Sequence, residues 1–369
     1  MLSQMDDFPI HQIAETIRHV GTSDRNFYDR YYFNLHASSD ALFAVMGMGV
    51  YPNLGVQDAF AVVRRGTSHR VVRASRALGD RMDLRVGPFR VEVPEPLRRV
   101  RFVLERTEHE LAMDVSWEGA IPAYEEPRQL VRQQGRVLFD TMRFAQTGRW
   151  NGWLQVGDER FEVAPDRWWG SRDRSWGVRP VGEPEPAGIR QGQLPLQGLW
   201  NYAPMQFDDF SVLYILNQHD DGKRLIEDAV RVWADPARPP EALGRPEFEH
   251  VLRRGTRLVE RARLRFPEAP GGPMEVRVEP LVDLHVGVGT GYGFDPDWRH
   301  GMYQGPLVVQ GLSLDTERDR ERMMGLVDCC ARFTLDEPAG RQVGYGLHEY
   351  FFLGPFARYG LKGILDGAP

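Results

Sequence analysis

The densest group of side chains that could do chemistry lies between Trp168 and Pro180, in the segment WWGSRDRSWGVRP. Its one carboxylate, Asp173, stands between Arg172 and Arg174 and close to three tryptophans. A carboxyl group in aromatic surroundings loses solvation, which raises its pKa and suits it to exchange a proton near neutral pH. If the segment is extended, Asp173 points to the opposite side from both arginines. Asp173 is therefore the first candidate for an acid–base residue.

A structural role explains the same segment. Asp173 would then be a buried carboxylate held by backbone N–H groups or by an arginine, and the tryptophans would plug the end of a barrel. Ionic networks in proteins are often structural, so the segment alone does not decide between the two interpretations.

Two glycine-rich segments each carry a histidine. In DLHVGVGTGYG, as a strand, His285 shares a face with Asp283 and four glycines, and Tyr292 lies on the other face. In GYGLHEY, His348 shares a face with two glycines, opposite Glu349. Alternating glycines mark a bend, or the close approach of another backbone or a flat ligand. If the two strands were antiparallel neighbours, His285 and His348 would approach each other; tight packing between barrels is the alternative.

A third group lies in the loop PDWRHGMYQG, which is bounded by proline and glycine and could line a barrel mouth or pack on its own aromatic rings. Combining the three groups, we predict two sets of functional residues. Acid–base roles fall to Asp173, His285, His300 and His348, and substrate contacts to Trp169, Trp176, Tyr292 and Trp298.

Several other chemistries have no motif behind them. GVGTGYG has Tyr292 where a dinucleotide-binding loop needs its last glycine, and Walker A, HExxH and GxSxG motifs are absent. Cys329 and Cys330 are neighbours without metal-site spacing, and Asp295 with Asp297 supplies too few oxygen ligands. We therefore expect neither an organic cofactor nor a metal.

The elements that must position these residues are strands. Alternating apolar residues recur from Ala59 onward, as in LAMDVSW and FSVLYIL, with short turns that favour antiparallel hairpins. The Pro/Gly-rich stretch 181–197 predicts a linker between an N-terminal barrel domain, 1–185, and a C-terminal one, 195–369. Short helices are expected at 10–20, 315–324 and 354–365.

The spacing of Gly170, Asp173, Trp176 and Gly177 resembles the G-x-x-D-x-x-W-G signature of the two-domain lipocalin-like family that includes carotenoid 1,2-hydratases and related fungal pericyclases. The resemblance implies two packed barrels and a lipophilic substrate bound without cofactor or metal. Asp173 and Trp176 match the aspartate and tryptophan of the signature, so the resemblance implies functional roles for these two side chains. The hydratases place histidine on both sides of the aspartate, where this chain has arginine, and this difference argues against identical chemistry.

The expectation is thus an all-β protein of two tandem lipocalin-like antiparallel β-barrels with a few short peripheral helices. It would bind a small lipophilic molecule, isoprenoid or polycyclic, in a barrel cavity and perform cofactor-independent hydratase, isomerase or cyclase chemistry. The alternatives are a non-catalytic carrier and a protein-binding scaffold. A net charge of −6 and the lack of a signal peptide or spanning segment predict a cytoplasmic protein that binds neither nucleic acid nor membrane; a homodimer stays open.

Overall fold

Strand-forming sequence occupies most of the chain, and the strands pair in an antiparallel manner throughout. The fold was obtained as a computed structural model and is described here for residues 2–133, 135–185, 198–293, 295–364 and 366–369. The helices in these ranges are short 3-10 turns at Gln4–Asp7, Arg320–Arg322 and Ala357–Tyr359. None of the described helices has the length and apolarity that crossing a membrane requires.

Thirteen strands are described in the N-terminal half. They are β1 Phe27–His36, β2 Phe43–Tyr51, β3 Val56–Arg65, β4 Ser68–Ala77, β5 Arg85–Val86, β6 Phe89–Glu95, β7 Arg99–Leu104, β8 Leu111–Gly119, β9 Tyr124–Glu125, β10 Gln129–Gln133, β11 Arg136–Val156, β12 Glu159–Val163 and β13 Trp169–Val178.

Ten further strands are described after the linker region. They are β14 Gly198–Gln206, β15 Phe210–Gln218, β16 Arg224–Trp233, β17 Glu241–Ala242, β18 Glu247–Leu252, β19 Val259–Phe266, β20 Met274–Leu284, β21 Leu307–Asp315, β22 Val327–Glu337 and β23 Gly340–Leu353.

The first sheet forms a nearly closed barrel in the order β21-β4-β3-β2-β1-β13-β11-β8-β7-β6-β5. Its inner face is apolar because every second residue points inward and these positions carry large hydrophobic side chains. The rings of Phe33 and Trp117 each lie against Trp150, with centroids 5.9 and 5.1 Å apart. The described side chains thus fill this barrel with a packed core.

The second sheet curves as a half-barrel in the order β17-β16-β15-β14-β23-β22-β20-β19-β18. Its inner face carries a separate apolar core, in which Tyr214 of β15 meets Phe266 of β19 at 6.4 Å. The prediction of two tandem lipocalin-like β-barrels with short peripheral helices is confirmed.

The two sheets meet through their outer faces. A third apolar cluster lies between them and takes alternate residues from both, such as Val45 and Val62 from the first sheet and Leu213 and Leu347 from the second. The Thr147 and Ser211 hydroxyls, 2.6 Å apart, add a polar contact across this junction. Residues that point away from the two barrel cores are therefore buried against each other.

One strand crosses between the halves. β21 belongs to the C-terminal half by sequence, yet it pairs with β4 of the first sheet, from Leu307 opposite Arg76 to Asp315 opposite Ser68. The domain limits 1–185 and 195–369 stay a prediction, and most of the predicted linker, 186–197, lies outside the described residues.

The predicted helix over residues 10–20 is wrong. The chain there forms turns, and Ile10 and Ile13 are exposed. The Asp6 carboxylate accepts the Ile17 N–H at 2.7 Å, so this amide is taken by a side chain instead of a helical carbonyl. A short helix with no surface on which to bury its apolar face has little to stabilise it.

The predicted strand through residues 285–293 is also wrong. β20 ends at Leu284, and the following glycines turn the chain. Gly289 and Gly291 have φ of 81° and 98°, values that residues other than glycine rarely adopt. The loop folds back so tightly that a Cβ on Gly293 would lie 1.7 Å from the Gly287 carbonyl oxygen. These glycines allow the chain to form a compact loop.

Candidate functional site

The strand β13 places Asp173 on the outer face of the first barrel, towards the second sheet. Asp173 lies directly opposite Tyr32 of β1 and Ala145 of β11, and both of these belong to the apolar cluster at the junction. Arg172 and Arg174 point to the other side, as the predicted alternation requires; the Arg174 guanidinium lies 3.9 Å from the ring centre of Tyr31. The aspartate is thereby separated from its arginine neighbours in sequence.

Two glycines of the signature spacing let β13 fit between its neighbours. A Cβ on Gly170 would lie 2.0 Å from the Asn34 carbonyl oxygen of β1, and one on Gly177 would lie 2.1 Å from the Asp140 carbonyl oxygen of β11. Gly177 also has φ of 125°. Both sites exclude larger residues, and the close approach fixes the strand that carries Asp173.

A row of polar residues on the second sheet faces this position. Tyr202 of β14, Glu349 of β23 and Asp328 of β22 lie side by side on its outer face. Tyr32 donates a hydrogen bond to Asp328 Oδ2 at 2.6 Å and so joins the two sheets beside Asp173.

A second bridge lies at the other end of the same row, where Tyr124 donates to Asp228 Oδ2 at 3.1 Å. Between the bridges, the first sheet presents only the small side chains of Ala145 and Asp173. Asp173 and Glu349 keep partial access to water although they lie at the junction. From this combination we infer a cleft between the sheets.

An ion pair and two aromatic rings form one wall of the cleft. Arg143 of β11 donates to Glu126 at 2.6 Å, and its guanidinium lies 5.5 and 5.0 Å from the ring centres of Trp200 and Tyr202. The Trp200 indole N–H donates to Glu349. Glu126 is buried, so its charge depends on Arg143, whereas Trp200 keeps part of its surface accessible.

Asp173 itself makes no hydrogen bond or ion pair with any residue that the structure describes. Burial raises the pKa of its carboxyl to about 7; the Arg143 charge opposes this rise, while Glu126 and Glu349 add to it. Near neutral pH both the protonated and the charged forms are therefore populated. An acid that titrates near 7 and has no hydrogen-bond partner among the described residues is suited to proton transfer.

The neighbouring carboxyl groups Asp328 and Glu349 repel each other. Burial, reinforced by the Glu349 charge, raises the pKa of Asp328 well above its usual range. Burial also raises the pKa of Glu349, although the Trp200 N–H favours its charged form. We therefore assign the proton of this pair to Asp328, whose Oδ1 has no hydrogen-bond partner among the described residues.

Two hydrogen bonds anchor the loop after β20, and an ion pair between β1 and β3 supports one of them. Asp58 accepts the Gly301 N–H at 2.8 Å and the Arg30 guanidinium at 3.0 Å, and the Gly182 N–H donates to the His300 carbonyl at 2.7 Å. Arg30 and Asp58 are both buried. The loop is thus attached to β1, to β3 and to the chain after β13.

The loop brings Tyr292 close to Asp173 and packs His300 against Tyr292. Tyr292 lies edge-on to His300, with centroids 4.2 Å apart, and its hydroxyl is near enough to interact with the Asp173 charge. His300 Nε2 donates to the Thr290 carbonyl at 3.1 Å, and Nδ1 accepts from Arg179 at 3.2 Å. Burial, with Arg30 and Arg179, keeps the pKa of His300 well below its usual range. Both ring nitrogens are occupied, which favours a supporting role.

The other two predicted histidines lie elsewhere and apart from each other. β22 separates β20 from β23, so the predicted approach of His285 to His348 is wrong. His348 points into the second barrel core, where it stacks on His250 at 5.7 Å. His285 lines a different cleft. Burial lowers the pKa of each to about 3.

The predicted tryptophans are also dispersed. Trp169 shares the outer face with Asp173 but contacts Tyr345, with centroids 6.1 Å apart, at the far end of β13. Trp176 lies on the opposite face and is 37% exposed. Trp298 is buried beneath Arg73, whose guanidinium is 4.2 Å from its ring. Of the eight predicted residues, Tyr292 lies near Asp173 and contacts His300, and the other five do not join this group.

Sequence reasoning missed most of the cleft. The unpredicted residues are Tyr32, Glu126, Arg143, Trp200, Tyr202, Asp328 and Glu349. A signal existed for two of them: Asp328 and Glu349 are the acids within the mainly apolar stretches 327–331 and 347–353, at positions that the alternation assigns to the outer face. Among the described residues, no group of three or more His, Cys, Asp or Glu side chains could hold a metal ion.

Comparison with known families gives one match along nearly the whole chain. The model of a family of unknown function, DUF8625, matches residues 2–362. No curated protein sequence matches.

Comparison with solved structures places the fold. Kievitone hydratase from Nectria haematococca superposes with a TM-score of 0.54 at 12% identity over 87% of this chain and 88% of that one. A Nitrosomonas europaea protein described as AttH gives 0.53 at 13% identity, covering 88% and 92%. CghA gives 0.50 at 9% identity, covering 94% and 90%. These likenesses show the fold, and at that level the resemblance to the two-domain lipocalin-like family is confirmed.

Proposed function

The chain belongs to DUF8625, and we propose, from the geometry of the cleft between its sheets, that it is an acid–base catalyst acting on a lipophilic molecule. The observation that carries the proposal is Asp173: a carboxyl with a pKa of about 7, without a hydrogen-bond partner among the described residues, in a cleft at the junction. The hydratase name of one structural neighbour agrees with this chemistry.

In the proposed reaction, protonated Asp173 gives its proton to a carbon of a polarised double bond. Water then adds to the cationic carbon and loses a proton, which restores Asp173. The net reaction is the addition of water across the double bond, and no redox partner is required. If an internal nucleophile or the loss of a neighbouring proton replaces water, the same step gives cyclisation or isomerisation.

The cleft offers support for a developing positive charge. Trp200 and Tyr202 present aromatic rings beside Asp173, and Glu349 supplies a nearby carboxylate. Aromatic faces and anions stabilise cations, most strongly where water is excluded. Arg143 lies against the same rings, so the substrate would occupy the side of Trp200 that remains accessible.

Both barrels contain packed cores, so the proposed ligand position is between the sheets and not inside a barrel. The rings of Tyr32, Trp200 and Tyr202 and the charged groups around Asp173 lie within the apolar cluster of the junction, and small-molecule sites combine apolar surface with placed polar groups in this way. An isoprenoid or polycyclic substrate with one polarised double bond fits this description.

The test begins with native mass spectrometry of protein purified from its own host, to identify a lipophilic molecule that copurifies. That compound is then incubated with the protein in D2O, where the proposed step places deuterium on carbon. Asp173→Asn should lower turnover at least about 100-fold and keep the ligand bound. Asp114→Asn, on a partly exposed carboxylate that pairs with Arg101 at 2.7 Å, is the matched control and should keep turnover.

The rival function is a carrier that holds the same ligand without changing it. An interior cleft with aromatic walls favours this alternative as well. A carrier would show the bound lipophile but no deuterium incorporation in the unmutated protein, and Asp173→Asn would then leave binding unchanged. That result would overturn the catalytic proposal.

A further inference from the structure

A second cleft opens elsewhere along the same junction. It has a volume of 660 Å³ and takes residues from both halves, including Arg64 of β3, Arg253 after β18 and His285 after β20. It shares no lining residue with the group around Asp173.

The register of the first sheet fixes how the two clefts are related. Arg64 lies opposite His69 of β4 and Phe43 of β2, and this row continues to His36 of β1. His36 is four residues from Tyr32 on the same face of β1, so the rows are about 13 Å apart. The second cleft is a separate place on the same outer face.

Two nitrogen-bearing side chains that line this cleft have no hydrogen-bond partner among the described residues. Neither Arg64 nor His285 makes a hydrogen bond with a described residue, and Arg64 Nη1 and His285 Nδ1 are shielded from water. His285 is 6% exposed. The neighbouring His69 is fully buried, and its Nε2 already donates to the Val288 carbonyl at 3.5 Å. Unsatisfied buried donors are costly, and a bound acceptor would satisfy them.

The acids near this group are already engaged or exposed. Asp283 pairs with Arg253 at 3.1 Å and accepts the Tyr350 hydroxyl at 3.0 Å. Asp315 accepts the backbone N–H groups of residues 317 and 318, each at 3.0 Å. Glu317 and Asp40, which also line the cleft, are exposed to water. Within the part of the chain that the structure describes, Arg64 is therefore a half-buried cation without a close counter-ion.

The rest of the lining is apolar on one side. Leu281, Val282, Met323 and Val327 supply aliphatic surface within the same cleft. A ligand that fits has an anionic head for Arg64 and His285 and a flexible apolar body for this surface.

We propose that the second cleft binds the carboxylate of an amphipathic acid, with Arg64 and His285 as donors to its oxygens. Guanidinium is the side chain best matched to a planar carboxylate, because it can offer two parallel N–H groups. A neutral imidazole can add one N–H donor. This site is independent of the reaction proposed for Asp173.

The test uses decanoate as the probe and 1-decanol as the neutral analogue, with binding measured by titration calorimetry on the full chain. Decanoate should bind in one-to-one ratio, and decanol at least about tenfold more weakly, since it lacks the charge that Arg64 recognises. Arg64→Gln and His285→Ala should each weaken decanoate binding, the first by about tenfold or more.

Arg65→Gln is the matched control, because Arg65 is the exposed neighbour that pairs with Glu159 across the surface. It should leave decanoate affinity unchanged. Equal affinity for decanoate and decanol, equal effects of the Arg64 and Arg65 changes, or no saturable binding would each overturn the proposal. Competition by inorganic phosphate alone, at an affinity equal to that of decanoate, would also overturn it, because the apolar wall would then contribute nothing.

Discussion

The two clefts lie on the same outer surface of the first barrel but differ in charge: one is rich in acids, and the other has hydrogen-bond donors without partners among the described residues. Around Asp173, the second sheet contributes the acids Asp328 and Glu349, and the cation Arg143 is paired with Glu126. Around Arg64, about 13 Å further along the strands, the donors stay unpaired. The facing sheet, more than the strand itself, decides whether a buried charge is compensated or is available to a ligand.

The largest effect should come from breaking the compensated pair. Arg143→Met leaves Glu126 buried without its partner, and we expect unfolding free energy to fall by about 3–5 kcal/mol. Urea denaturation followed by tryptophan fluorescence measures this loss.

The matching change in the other cleft is Arg64→Met, which removes a cation that has no hydrogen-bond partner among the described residues. Stability should stay within about 1 kcal/mol of the unmutated protein or rise. Equal losses for the two arginines would contradict the distinction between the clefts.

The next effect is a pH dependence at Asp173. Its pKa is raised in the folded state, from 3.8 to about 7, so the carboxyl binds its proton more tightly when folded, and stability is lost as pH rises through that range. Asn does not titrate. Asp173→Asn should therefore leave the free energy of unfolding unchanged at pH 4. At pH 8 it should raise that free energy by about 2–3 kcal/mol relative to the unmutated protein, allowing for access of water to the site.

Denaturation of both proteins at several pH values between 4 and 8 tests this sign. A gain that is the same at every pH would mean that the Asp173 carboxyl is not the titrating group. A loss at pH 8 would show that its charge stabilises the fold, as in the structural interpretation.

A smaller effect is expected at the bridge between the sheets. Tyr32→Phe removes the hydroxyl that donates to Asp328 and should cost about 1–2 kcal/mol, since a buried acceptor is left unsatisfied. Tyr31→Phe, one residue earlier, is the control, because the Tyr31 hydroxyl has no hydrogen bond within the described residues. Thermal unfolding should separate the two variants clearly.

The smallest expected effect is a difference in stability between variants of Trp169 and Trp176. Trp169→Leu loses the edge contact with Tyr345 across the junction and should cost about 1 kcal/mol. Trp176→Leu changes a side chain that is 37% exposed and should stay within about 0.5 kcal/mol. Equal melting temperatures for the two variants would show that the Trp169 contact contributes little.

The sequence predicted those parts of the site that depend on local alternation. A strand from Trp169 to Val178 necessarily separates Asp173 from Arg172 and Arg174, and the structure has this arrangement. The same alternation put Glu349 opposite His348, as observed. The composition and hairpin spacing likewise predicted the all-β architecture.

Features that depend on distant pairing could not be predicted. Tyr32 and Asp328 meet only because two sheets pack through their outer faces, and no local pattern encodes that contact. The alternating glycines after His285 failed as a strand signal because positive φ, which glycine alone adopts easily, turned them into a loop. Period-two spacing is therefore ambiguous wherever glycine supplies it.

The crossing strand β21 has a consequence for how the chain is made. A ribosome releases residues 307–315 long after β4, so the edge of the first sheet waits unpaired while most of the second half is synthesised. Exposed edges of this kind attract other chains. The first barrel would complete its sheet only after β14 to β20 of the second half have been synthesised, which ties the maturation of one half to the arrival of the other.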